Sequence, residues 1–344
     1  MSALAPVVLA EESTGFEPSK PIPCGILGID HAHGVDVLRV LKRSNDFELV
    51  GVCDPDDATR AQFAGLPDLD GVAWRTMNEL LADDSIKMVA VESGVPRLLE
   101  LARAAVDAGK HVHLDKPAGT SLEEFRALLD VAAEKNLLVQ MGYMFRYNPG
   151  FDLIRRAVKE GWLGDVYAIH AGMCTDLSEE KRRRIAFHPG GVMLELGCHL
   201  IDMVHLILGQ PKRVTPFLRH DTKTDDALAD NTVAVLEYPN AIATIEVAAM
   251  EVHAFPARRF KVAGTNGSII LNPLEPPRVR IALRQPAGEF NRGEQTIILP
   301  DLERHVVDFE DLAACMRGDR PFEYSKDHDY AVQCTVLRAS GVTG

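Results

Sequence analysis

Residues 23–54 read PCGILGIDHAHGVDVLRVLKRSNDFELVGVCD, and this stretch decides the fold. Pro23–Ile29 is an apolar run of strand length, Val35–Lys42 carries apolar residues at helical spacing, and Phe47–Cys53 is a second apolar run. A strand, a tight turn, a helix and another buried strand are the opening of a doubly wound parallel sheet. In a dinucleotide-binding turn, glycines make the bend, let pyrophosphate approach the backbone, and allow close helix packing. Gly28 fits the first role; Asp30 occupies the second, and His33 with Gly34 stands near the third. Three readings of Asp30 are open. Its carboxylate turns away and leaves the helix N-terminus to phosphate, or protonated His31 and His33 offset it, or the pocket has lost the dinucleotide. Asp54 ends the second strand, where a carboxylate accepts a hydrogen bond from a ribose 2′-hydroxyl and repels a 2′-phosphate. It favours NAD over NADP, although a plain strand-ending turn residue would look the same.

The alternation continues along the chain. The pattern predicts a helix at Asp56–Phe63, a short strand at Val72–Arg75 and a helix at Asn78–Ala82. A strand follows at Lys87–Val91, with Glu92 directly after it, then a helix Arg97–Ala108 stopped by Gly109. The strand His111–Leu114, the helix Ser121–Lys135, opened by a capping-box pattern at Ser121–Glu124, and the strand Leu137–Met141 complete this part. After residue 142 the grammar changes. A helix Phe151–Glu160, a strand Val166–Gly172, a basic loop Lys181–Arg184 and a helix around His199 lead into alternating polar and apolar runs. These runs are Arg213–Arg219, Asn231–Tyr238, Ala241–Met250, Arg258–Val262, Ser268–Leu271 and Arg278–Leu283. Helices at Leu302–Met316 and Lys326–Ala339 close the chain. The expected organisation is a flexible lead-in over 1–21, a Rossmann domain over 22–143, and an α+β domain over 144–344 with a large, mostly antiparallel open sheet. A sheet with one uncovered face tends to be buried against a copy of itself, which points to a homodimer or homotetramer.

Bulk composition narrows the classes. The 344 residues carry 37 Lys+Arg against 50 Asp+Glu, a net charge of −13, which disfavours nucleic acid and anionic membranes as partners. The six cysteines are scattered without a CxxC pair and read as reduced thiols of a cytoplasmic protein rather than a zinc site. The apolar run at 3–10 lacks the basic flank and length of a signal peptide, so export after trimming is the lesser reading. No stretch approaches the roughly 20 apolar residues that span a bilayer.

The chemistry concentrates at Gly190–Asp202, GGVMLELGCHLID. On a helix, Glu195, His199 and Asp202 stand at i, i+4 and i+7 and share one face. Three titratable groups on an otherwise apolar helix are costly if buried unpaired, so such a stripe either lines a cleft or is satisfied in the core.

Four segments, in order, carry a family resemblance. They are His113-Leu114-Asp115-Lys116-Pro117, Gly142–Pro149 (GYMFRYNP), Gly164-Asp165-Val166, and the Gly-Gly to His-x-x-Asp helix. With them the chain resembles the Gfo/Idh/MocA family of two-domain, nicotinamide-dependent sugar and polyol oxidoreductases. The resemblance implies NAD as cofactor, a sugar or cyclic polyol as substrate, and Lys116 with His199 as the catalytic centre. The family often has Asp where this chain has Glu195; Asp202 matches its second acidic position. A histidine titrating near neutrality takes the hydroxyl proton as hydride leaves, a carboxylate (Glu195 or Asp202) orients it, and a lysine steadies the developing alkoxide. Gly28, Asp30, His31, His33, Asp54, Glu92 and Lys116 make up the expected cofactor site, with no metal. Tyr143 and Arg146 at the domain junction, and His188 ahead of Gly190, are the expected substrate contacts, interdomain packing being the other reading of the first two. Lys181–Arg184 would suit an acidic substrate such as a uronate, or would be a solvated face. His31 and His33 would reach metal or phosphate, or be turn residues. Two further classes fit the altered turn. One is a redox-neutral lyase or hydrolase acting on a keto-sugar, with trapped NAD or a metal held by Glu195 and His199; the other is a noncatalytic sugar-binding regulator.

Overall fold

The structure is a computed structural model and describes residues 20–30 and 33–342. Five parallel strands form the first sheet: β1 (Ile22–Leu27), β2 (Phe47–Cys53), β3 (Met88–Val91), β4 (His111–Leu114) and β5 (Val139–Met141), in the order β2-β1-β3-β4-β5. Both faces are buried, as near-continuous apolar strands require. Leu27, Val89, Val91, Val112 and Leu114 pack towards α4 (Val95–Asp107) and α5 (Leu122–Glu134). Their alternates Cys24, Ile26, Val52, Met88 and Ala90 meet α1 (Gly34–Arg43) on the other face. Two short helices, α2 (Asp57–Phe63) and α3 (Met77–Ala82), lie along the β2–β3 connection. Asp56 caps α2, and a full capping box of Thr76 and Glu79 opens α3. At α5, Ser121 Oγ accepts the Glu124 N–H at 3.2 Å, the expected half of a box.

The chain crosses into a second layer through α6 (Pro149–Lys159). There β6 (Val166–Gly172) and β9 (Ile242–Ala248) pair in parallel within an eight-stranded sheet whose other pairings are antiparallel among the described residues. The other members are β7 (Arg213–Arg219), β8 (Asn231–Glu237), β10 (Arg259–Gly264), β11 (Gly267–Leu271), β12 (Arg278–Leu283) and β13 (Gly293–Ile298). Burial alternates along β8 and β9, so one face packs on α6 and the His199 helix. The other face is open and mixed, carrying Phe217, Val233, Ile242, Thr244 and His170.

Several expectations are corrected. The strand expected at Val72–Arg75 is a single bridge from Trp74 to Val52. The basic loop at Lys181–Arg184 is a helix, α7 (Glu179–Ile185), because Ser178 caps it and two acids open it. The strand β13 carried no clear alternation and was not expected. The ninth helix, α9 (Val306–Arg317), starts four residues after the expected Leu302, because His305 before it adopts φ +64°. The expected domain division is crossed by the end of the chain. Phe309 of α9 stacks edge-on against Phe47 of β2 (centroids 5.9 Å), completing the core on the α1 side of the first sheet. The last helix, α10 (Lys326–Ala339), ties to α5 through Lys326–Asp130 and Arg126–Asp327, at 2.7 and 2.8 Å. No helix among the described residues is long and apolar enough to cross a membrane.

Candidate active site

The C-terminal ends of β1, β3 and β4 open towards the helix that carries His199, and between them lies a cavity of about 720 Å³. This is where an open α/β sheet presents its ligands. Asp30, His33, Gly94–Arg97 and Lys116 line it from the first layer; Thr175, His188, Glu195 and His199 line it from the second. A depression of about 800 Å³ on the outer side of α6 shares no lining residue with it and holds none of the expected site residues.

Local backbone geometry aims these groups. Gly28 has φ +82°, and a Cβ there would stand 2.6 Å from Ser93 Cβ. Only glycine permits that conformation and that approach of the β1 and β3 ends. The Asp30 carboxylate turns to α4: its Oδ1 accepts the Gly94 N–H at 3.0 Å, at the start of that helix, as the first reading requires of the side chain. Among the described residues the first turn of α1 has no side-chain cap, since His33 at its N-cap makes no capping bond. His33 instead turns to Asp115, with Nδ1 3.1 Å from Oδ1. The other expected histidine of this turn, His31, lies outside the described residues.

On the facing wall, Gly191 has φ +52°, and a Cβ there would stand 2.4 Å from the Ala229 carbonyl oxygen. It lets the chain turn sharply into the helix behind it. That helix starts as a wide π turn, Met193–Gly197, before the regular α8 (Cys198–Leu208). A π turn adds a residue to the repeat, so the stripe expected at i, i+4 and i+7 is not kept across it.

Lys116 crosses the seam. Its Nζ donates to Glu195 Oε1 at 2.8 Å and to the Glu195 carbonyl at 3.0 Å. Burial opposes the charge of Lys116, but the Glu195 carboxylate outweighs it and the net effect holds the ammonium above its usual range. Glu195 also stands 3.7 Å from His188 Nδ1. His199 is 1% exposed, enclosed by Tyr143 edge-on (centroids 6.0 Å) and Phe145 (5.5 Å). Its Nδ1 has no hydrogen-bond partner among the described residues. Burial first, and the Lys116 charge second, push its pKa well below the usual histidine range, so the ring is neutral at pH 7.

Several expected site residues are placed elsewhere. Asp202 is fully buried, its oxygens taken by Arg146 (2.9 and 2.7 Å) and by His328 Nε2 (3.1 Å); it does not line the cavity. Arg146 is likewise turned away from the cavity, held between Asp202 and Asp329 (2.6 Å) with its guanidinium 4.1 Å over Tyr324. Tyr143 packs against His199 and does not line the cavity. Asp54 is 2% exposed, and its oxygens accept the N–H groups of Ile29 (3.0 Å) and Asp56 (2.9 Å), so it braces the turn. Glu92 is buried beneath the cavity, 3.8 Å from His113 Nε2. For Asp202 and Asp54, a cation or an inward-facing backbone donor satisfied a carboxylate that sequence spacing had aimed at a ligand. The basic run divides: Arg182 turns inward to Asp226 and Asp230, at 2.8 and 2.9 Å, while Lys181 and Arg184 line the cavity. Arg97, Arg258 and Arg304 also line it, and no spacing in the sequence distinguished them. Among the described residues no group of three or more His, Cys, Asp or Glu converges as metal ligands.

Two family models cover most of the chain. Residues 22–143 match one described as oxidoreductase family, NAD-binding Rossmann fold, and residues 151–270 match the GFO/IDH/MocA C-terminal domain. Trans-1,2-dihydrobenzene-1,2-diol dehydrogenase from Bos taurus is 25% identical over 209 residues, 60% of this chain and 61% of that enzyme, so the match spans about three-fifths of the relative's length. D-xylose 1-dehydrogenase (NADP(+)) 2 from Haloferax volcanii is 28% identical over 261 residues, 72% of this chain and 75% of that one. Among solved structures, GenD2 from gentamicin A biosynthesis, in complex with NAD, superposes with TM-score 0.77 at 22% identity, covering 98% of this chain and 97% of its own.

Proposed function

Since the chain belongs to the Gfo/Idh/MocA family of oxidoreductases with an NAD-binding Rossmann domain, we propose that it is a dehydrogenase acting on a secondary hydroxyl of a sugar or cyclic polyol. The observation that carries this reading is that Lys116, from the end of β4, and His199, from the second layer, line one cavity with the β1–α1 turn. The residues there fit a dinucleotide. Gly28 gives the close approach, the first turn of α1 has no side-chain cap, and the Asp30 carboxylate is occupied at Gly94. Bound NAD supplies the hydride acceptor. The rest is done by the chain. As the carbinol C–H electrons leave, the O–H proton passes to the neutral His199 ring and the C=O bond forms. Lys116 donates to the oxygen while alkoxide charge is largest, and Glu195 fixes the ammonium in place.

The acids Asp54, Asp56 and Asp57 crowd the end of β2 and favour NAD over a 2′-phosphorylated cofactor through repulsion, even though Asp54 is buried. The altered glycine turn was the motive for a redox-neutral reading, and Asp30 turning to Gly94 removes that motive. The open face of the second sheet favours a homo-oligomer, which light scattering on the purified protein checks.

The test is turnover of a panel of sugars and polyols, with NADH appearance followed by absorbance. Fluorescence titrations with NADH and NADPH accompany it. Turnover that vanishes in His199→Ala, with NADH bound more tightly than NADPH, supports the reading. An inert wild type that binds neither nucleotide refutes it.

A further inference from the structure

The second-layer wall of the cavity is cationic in a protein of net charge −13. Lys181, Arg184, Arg258 and Arg304 line it, against Glu195, which Lys116 already pairs. Arg258 is the informative member. It is only 5% exposed, its Nε donates to the Cys174 carbonyl at 3.0 Å, and its guanidinium lies 3.9 Å over the Phe255 ring. Among the described residues the guanidinium's one hydrogen bond is that Nε bond, and no carboxylate lies within ion-pair distance, although Glu275 and Glu251 stand near enough to support its charge. Burial first, and the neighbouring Arg304 charge second, pull its pKa down to about 10. Arg304 differs: Glu275 grips it through two bonds of 2.6 Å.

A largely buried guanidinium that keeps free donors at a cavity wall is a ready partner for an anion. Its planar fork matches an oxyanion in bidentate geometry. The fork is anchored at Cys174, beside the cavity-lining Met173 and Thr175, on the layer that carries His199. Cofactor phosphate belongs at the α1 N-terminus on the opposite layer.

Building on the dehydrogenase reading, we propose that the substrate is itself a sugar acid, an aldonate or uronate. Its carboxylate is received by Arg258, with Lys181 and Arg184 at the rim, and its reacting hydroxyl lies at Lys116 and His199. Uncharged sugars leave the Arg258 donors unmet and are selected against.

The experiment compares matched pairs, a neutral sugar and the corresponding uronate or aldonate, with wild type, Arg258→Met and Arg258→Lys. Wild type is expected to prefer the acid. Arg258→Met raises KM for the acid about 10- to 100-fold, the range of a charged hydrogen bond, with a smaller change in kcat. Arg258→Lys recovers part of the loss. Circular dichroism confirms that both variants fold. Equal kcat/KM for acid and neutral partners in wild type overturns the proposal. So does a loss of NADH affinity in Arg258→Met that matches the loss in KM, because the anion is then the cofactor's phosphate. Calorimetry of gluconate and galacturonate with the NADH-loaded protein separates the two levels. Acid binding that needs Arg258, without any turnover, keeps the anion site and removes the dehydrogenase reading. Turnover of neutral sugars with no acid binding does the reverse.

Discussion

Replacing Arg146 with Met tests whether this residue is part of the fold or of the substrate site. The side chains of Arg146 and Asp202 are 0% exposed, and Asp329 is at 1%; the guanidinium holds both carboxylates at 2.6–2.9 Å. Removing the cation leaves two acids in a dry site. Breaking a buried ion pair from one side costs about 3–5 kcal/mol. For 344 residues the unfolding entropy is about 0.7 kcal/mol per kelvin, so Tm falls by about 4–7 °C if unfolding is cooperative. The pH dependence has a fixed sign. Burial raises the Asp202 pKa, but Arg146 outweighs it and the net shift is downward, so this group stabilises the wild type above the unfolded value of about 3.9 and loses that effect as pH falls. Without Arg146, only His328 still opposes burial, and the folded pKa is expected to rise above the unfolded one. The native variant then binds the extra proton, and its deficit against wild type narrows as pH falls from 7 towards 5. Calorimetry at pH 7 and pH 5 reads both effects. The Arg146→Met/Asp202→Asn double variant should be less destabilised than the sum of the singles. A variant that melts within about a degree of wild type at both pH values, with a raised KM, would show that Arg146 is a substrate contact and would refute the structural role.

Three other outcomes are expected. Lys116→Met should lower kcat/KM by about 100- to 1,000-fold, the scale of a lost oxyanion donor; its acid limb should move up in pH, because the Lys116 charge is one cause of the low His199 pKa. Rate–pH profiles check both, and an unmoved limb would exclude His199 as the titrating base. Asp30→Gly should leave NADH affinity within about threefold, because the carboxylate is engaged at Gly94, and should cost about 1 kcal/mol in thermal melts as a lost hydrogen bond; a large gain in affinity would mean that Asp30 faces phosphate. His205 is held down at about pH 4, by burial first and by His328 next. Its unfolded form takes a proton near 6.5, so between pH 6.5 and 4 the native state loses about 3 kcal/mol through this one group. His205→Gln should flatten that limb of the stability curve, and denaturant melts across the range measure it.

What was legible in the chain was whatever local periodicity encodes. Met88-Val89-Ala90-Val91 divides its side chains between two cores, and four consecutive apolar residues announce that. Ser121 three residues before Glu124 announces a helix start. The site was legible as far as one segment contains it, which is why Glu195 and His199 were found together. Partners contributed by distant segments were not legible. Asp202 looked equivalent to Glu195 by spacing, but a π turn intervenes and Arg146 and His328, 56 and 126 residues away, claim its oxygens. Asp54 looked aimed at a ribose until the Ile29 amide, 25 residues back, took one of its lone pairs. Arg258 had no local signature at all; its meaning comes from where the sheet puts it.

The site and the seam between the layers are held by the same kind of contact, and this bears on how the reaction is controlled. Lys116 is pinned from across the seam by both the carboxylate and the carbonyl of Glu195. One turn deeper, Arg146 from the crossover segment pins α8 and α10 together through Asp202 and Asp329. Glu195 keeps 14% of its side chain exposed while the Arg146 cluster is sealed, so the Lys116–Glu195 contact is the one that solvent reaches. Weakening that contact leaves more of the Lys116 charge unbalanced beside His199 and depresses the ring's basicity further. On the proposed dehydrogenase reading, the histidine is therefore the better proton acceptor while the Lys116–Glu195 contact is intact.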